Sequence, residues 1–127
     1  MKIDIGLLVL RVSIGSIMLF AHGWPKLINF QSKAQIFPDP FSIGSNLSLA
    51  MAVFSEVFCS VALILGLAVR VTAFPLLITM LTAAFIIHGN DPWVKKEFAL
   101  LYAIPFLTLI FTGGGKFSID HYVLKHD

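Results

Sequence analysis

Residues 47–69 read LSLAMAVFSEVFCSVALILGLAV, twenty-three residues that are apolar almost throughout, with one carboxylate, Glu56, near the middle. At about 1.5 Å per residue, such a run crosses a hydrocarbon core of roughly 30 Å as a helix. A carboxylate at that depth costs about 2.5 to 3.5 kcal/mol on insertion scales. Glu56 is therefore tolerable only where it faces protein or water, finds a donor, or carries a proton. What it faces is the question the rest of the chain has to answer.

The composition fits this reading. Of 127 residues, 57% are hydrophobic and 13% charged, about half the charge of a soluble domain. Nine Lys and Arg against seven Asp and Glu leave a net charge of +2 with no basic cluster, which excludes a nucleic-acid partner. A single Cys, Cys59, excludes an internal disulfide. Residues 1–24 show no small-residue cleavage site before their polar end, so they read as a retained span, not a removed signal peptide.

Working outward, the pattern predicts an all-α, integral-membrane four-helix bundle of up-down topology, forming a single domain. Its spans fall at about 4–22, 47–69, 71–88 and 93–112. In the first, Arg11, Gly15, Met18 and His22 share one helical face. Trp24 and Pro25 are expected to end that helix at the interface. A long loop, 24–46, follows; Phe30, Phe37 and Phe41 make it too apolar for a free linker, so it should lie on the membrane surface or fold back over the bundle. The short link after Gly66 forces spans two and three into an antiparallel hairpin, with Pro75 near the first turn of span three. Pro105 should kink span four and free the carbonyl of Leu101. Residues 113–127 read as a short polar tail.

Depth arithmetic then brings polar groups together. Arg11 lies roughly 10 Å from the terminal face and Glu56 roughly 18 Å, a gap within reach of an extended arginine, so an Arg11–Glu56 pair is geometrically possible and would relieve the burial cost of each. His22, Lys26, His88 and Glu97 gather at the opposite face, one to two turns from Glu56. Simpler roles compete: helix-end histidines belong at an interface, Lys95 and Lys96 suit headgroups, and Arg11 with Glu56 could merely hold the bundle together. Gly113–Lys116 fails the phosphate-loop spacing, and no pair among His22, His88 and Glu97 has metal-ligand spacing, so no metal is expected.

Taken together, Arg11, His22-Gly23-x-x-Lys26, Glu56, Leu65-Gly66-Leu67-x-x-Arg70, His88, Glu97 before Ala99-Leu100-Leu101, and Gly115-Lys116-x-Ser118-Ile119-Asp120 resemble the DoxX family of small bacterial membrane proteins. The resemblance covers nearly the whole chain and implies a four-helix bundle in the bacterial cytoplasmic (inner) membrane. Members are linked to quinone-dependent redox systems, including a subunit of thiosulfate:quinone oxidoreductase, and to detoxification of quinones and catechols. Orientation also rests on the resemblance, which puts the termini in the cytoplasm. Charge does not decide it, because Lys2, Arg70, Lys116 and Lys125 on one side balance Lys26, Lys33, Lys95 and Lys96 on the other.

The expectation is a redox-associated membrane subunit with no intrinsic cofactor, binding a quinone or similar small amphipathic molecule within the bundle. Apolar walls would come from Phe54, Phe58 and Phe85, and polar contacts from Arg11, Lys26, Glu56 and Glu97. Glu56, His22 and His88 would relay protons, with Arg11 steadying an oxyanion. Its partners would be the lipid bilayer and other subunits of a redox complex or further copies of itself. The competing reading is a non-catalytic assembly or lipid-binding protein; a small transporter is a third, disfavoured by the lack of an inverted repeat.

Overall fold

A computed structural model describes residues 1–123, and within them the chain is helical with no strand. Three helices are long and apolar enough to cross a membrane: α1 at Lys2–Ile28, α2 at Ser45–Leu65 and α3 at Val69–Ile87. α4, Trp93–Thr112, has the length of a span but carries Lys95, Lys96 and Glu97 in its first turns, so composition alone does not qualify it. A short α5, Ile119–Val123, closes the described chain.

Trp24 and Pro25 do not end the first helix. Between Met18 and Gly23 the helix widens, and Trp24 N–H reaches back five residues to the carbonyl of Leu19. Pro25 therefore falls in the first turn of a fresh helical segment, where its missing N–H costs little, and the helix runs on to Ile28. That extension carries Lys26 over α2.

Beyond Asn29 the chain makes one further turn, Phe30–Lys33, and folds back: Ala34 is buried, and Phe30 and Phe37 pack on Leu49, Val53 and Val57. Asp39 anchors the return. Its carboxylate accepts from Ile43 N at 3.0 Å, Gly44 N at 2.8 Å and Ser48 Oγ at 2.9 Å, fastening the start of α2. Partial desolvation pushes this carboxyl up, but these donors, with the Ser42 N–H, outweigh it and hold Asp39 below the usual range.

α2 ends at Gly66, whose φ of +77° suits a residue without a side chain, and α3 starts at Val69. Pro75 consequently sits a full turn into α3 instead of at its start. The most extensive helix packing is between α3 and α4, where Ala73, Ala99 and Ala103 are buried beside Leu76, Phe106 and Leu109. Small residues at such a contact let backbones approach, the device available where lipid tails are as apolar as leucine. Large apolar side chains elsewhere on the helices, such as Val9, Phe20, Ile104 and Phe111, are exposed.

The C-terminal segment is not a free polar tail. Asp120, 4% exposed, accepts from Ala68 N at 2.5 Å and Val69 N at 2.8 Å, capping α3 with a carboxylate at its positive end. Asp120 N donates to Gly66 O at 2.9 Å, and Lys116 N donates to Asp4 Oδ1 at 3.1 Å. Of the expected tail, residues 124–127, with Lys125 of the charge tally, lie outside the described residues.

Candidate functional site

Three wide turns converge on one place. α1 widens at Met18–Gly23, α2 at Phe54–Cys59 and α3 at Ala83–Ile87. Wide turns rotate the residues that follow them and leave irregular backbone, and they gather at functional sites. Here they surround a cavity of about 720 Å³ at the end of the bundle away from the C-terminal segment, roofed by Phe37, Pro38 and Phe41 of the returning loop.

Each helix supplies wall residues at helical spacing: Ser48, Ala52, Ser55 and Glu56 from α2, Pro75, Ile78, Thr79 and Thr82 from α3, and Lys95, Phe98, Ala99 and Tyr102 from α4. α1 adds His22 and Lys26. Gly23 lets α1 come close at this level, since a Cβ there would stand 2.6 Å from the backbone carbon of Glu56 and 2.9 Å from a methyl of Val57.

Glu56, 1% exposed, is paired with Lys26: Lys26 Nζ donates to Glu56 Oε1 at 2.6 Å. Its other oxygen, Oε2, is buried and has no hydrogen-bond partner within the protein. His22 Nε2 lies 3.3 Å from Tyr102 Oη, with the rings edge to face at 5.2 Å. Thr79 Oγ1 donates to the carbonyl of Pro75 at 2.8 Å and lies 2.9 Å from Ser55 Oγ, a hydroxyl contact that ties α3 to α2 at the cavity wall. At the rim, His88 Nδ1 lies 2.7 Å from Asp91 Oδ2, and this hydrogen bond holds the Asp91 carboxyl below its ordinary range.

Glu56, His22, Lys26, His88 and Phe54 thus come together as expected from the sequence. Four other residues do not. Arg11 never meets Glu56: its guanidinium donates to the carbonyls of Leu63 and Ile64, each at 3.1 Å, and to that of Phe117. These two carbonyls belong to the last turn of α2, where Leu63 O also receives Gly66 N at 3.1 Å, so the arginine adds a second donor to a helix end. Glu97 is exposed at the start of α4 and outside the cavity wall. Phe58 and Phe85, each 60% exposed, point to the outer surface. Tyr102, Ser55 and Thr79 escaped the sequence reading, although Lys95, Phe98, Ala99 and Tyr102 follow the i, i+3, i+4, i+7 rule and could have revealed that wall.

Chemically, the wall offers the Lys26–Glu56 ion pair, two imidazoles, a phenol and four aliphatic hydroxyls, set in a lining dominated by aromatic and aliphatic groups. Such an arrangement receives a molecule with a compact polar end and an apolar body. Among the described residues no group of three or more His, Cys, Asp or Glu could hold a metal ion.

The family model named DoxX matches residues 6–89. An uncharacterised protein of Haemophilus influenzae is 33% identical over 115 residues, covering 85% of this chain and 84% of its own. No solved structure matches.

Proposed function

This chain belongs to the DoxX family, and from that membership we propose that it binds a small amphipathic molecule, a quinone first among candidates, in the cavity between its helices. The observation that carries the reading is the Lys26–Glu56 pair, a buried charge pair on the wall of an otherwise apolar cavity of about 720 Å³. Intramembrane ionisable groups that face a cavity mark ligand or proton sites.

A quinone presents two carbonyl acceptors, and the wall supplies donors for them in Lys26 and the Tyr102 hydroxyl. Phe54, Phe74 and Phe98 offer apolar surface for its body. Lys26 takes over the oxyanion role first considered for Arg11, which lies at the other end of the bundle. Reduction of a quinone takes two electrons and two protons. Electrons would come from a redox partner, and the His22–Tyr102 contact and His88 stand where protons could be delivered. In this reading α4 is the fourth crossing of an up-down bundle in the cytoplasmic membrane, with the termini in the cytoplasm.

The experiment is a titration with a short-chain benzoquinone, by calorimetry, of the protein in lipid nanodiscs. Lys26→Met should weaken binding by about tenfold or more, the loss of one hydrogen bond to a charged donor. Equal affinity in wild type and variant would refute the role of the pair. The competing structural reading is favoured for Arg11 alone, whose guanidinium is spent on backbone carbonyls.

A further inference from the structure

The cavity is roofed and closed on three sides; the fourth, between α2 and α3, is open. Its roof is fastened, because Asp39 holds Ile43 N, Gly44 N and Ser48 Oγ, and Phe37 packs on Leu49, Val53 and Val57. His22 and Tyr102 join α1 to α4, the Lys26–Glu56 pair joins α1 to α2, and α3 packs on α4 along its length. Between α2 and α3 the helices part. They pack together over the lower and middle turns of α2, Phe54–Cys59 and Ser60–Leu65, whereas its first turns, Ser45–Val53, make almost no contact with α3 or α4 and lean on the α1 extension.

The open side is apolar. Met51 and Phe54 of α2 and Phe74 and Ile78 of α3 line the cavity and are at the same time exposed on the outer surface, so they form its mouth. His88 and Lys95 mark its upper edge, and the charged pair lies at its inner end, where Glu56 is sealed from solvent. A molecule that fills such a space carries its polar end inward and its apolar end out. The height of the mouth agrees. At about 1.5 Å per residue, Phe54 stands about 16 Å above the Leu65 end of α2 and Ile78 about 14 Å above the Val69 start of α3, near the middle of a hydrocarbon core of roughly 30 Å.

We propose that the ligand enters this cavity sideways from the bilayer, between α2 and α3, and keeps a hydrocarbon tail in the opening while its polar head sits at Lys26 and Glu56. Resting on the binding proposed above, this adds the class of molecule: a membrane-resident one with a long alkyl or isoprenoid tail, in place of a compact soluble one. The tail gains little affinity, because it leaves lipid that is as apolar as the side chains it meets. It decides where the ligand comes from, and the head decides whether it stays. A short-chain analogue therefore competes for the same head site.

The test is photolabelling of the protein in lipid nanodiscs with a benzoquinone whose decyl tail ends in a diazirine, followed by peptide mapping. The mapping is repeated with an unlabelled short-chain benzoquinone at about ten times its Kd, where labelling at Met51, Phe54, Phe74 and Ile78 should fall roughly tenfold as bound probe is displaced by mass action. Phe58 and Phe85, exposed and outside the cavity, should take label from free probe in the lipid at an unchanged level. Competed label concentrated on residues 37–41 or on Phe98 would overturn the sideways route while leaving ligand binding in the cavity intact. Competed label at no position would overturn that binding, and the sideways route with it.

Discussion

Cutting the Lys26–Glu56 pair from its two ends should have unequal consequences. Glu56 is 1% exposed and Lys26 22%, with 2.6 Å between the bonded atoms. Lys26→Met strands a carboxylate that water cannot reach, a loss of about 3–5 kcal/mol for a broken buried pair. Glu56→Gln leaves an ammonium that still reaches water and an amide oxygen to receive it, so about 1 kcal/mol is lost. The double variant removes both charges and should cost little more than Glu56→Gln alone, giving a coupling energy of about 3–5 kcal/mol. Reversible unfolding of the four proteins in mixed micelles, assembled as a double-mutant cycle, measures each quantity. Equal losses from the two single variants, or a coupling below about 0.5 kcal/mol, would refute the claim that the carboxylate is sealed and depends on Lys26.

Two further outcomes follow from the ends of the bundle. Asp120→Ala should destabilise the protein by about 1–3 kcal/mol in the same unfolding assay, because two N–H groups opening α3 lose a charged acceptor; Asp120→Asn should recover part of this. Asp39 and Asp91 both have folded pKa values below the 3.8 of the free side chain. Their contribution is therefore fully present above pH 3.8 and is lost as the pH falls through the lower folded values, so the drop in unfolding midpoint caused by Asp39→Asn or Asp91→Asn should be constant from neutrality to mild acid and shrink only below it.

The helices were legible because apolar runs of span length admit few alternatives, and α2 was recognisable from residues 47–69 alone. The gathering of Glu56, His22, Lys26 and His88 at one end was also within reach of depth counting. Their pairing was not. Trp24-Pro25 reads as a stop, and only the wide turn before it, which no propensity announces, carries Lys26 onto Glu56. Arg11 went astray for another reason. Its acceptors are backbone carbonyls, invisible to residue-type matching, and one belongs to Phe117 in a segment whose polarity suggests a tail. Tyr102 was a missed opportunity, since Lys95, Phe98 and Ala99 precede it at helical spacing on the same wall.

The account turns on the cavity ringed by the three wide turns being a ligand site. Mass spectrometry of gently solubilised protein tests this most directly, comparing wild type with Ala83→Phe, which places a ring inside the cavity wall. The account predicts that a small amphipathic molecule accompanies the wild type in near-stoichiometric amount and is lost from the variant. A wild type that carries nothing, or a variant that keeps the same molecule at the same level, would contradict it.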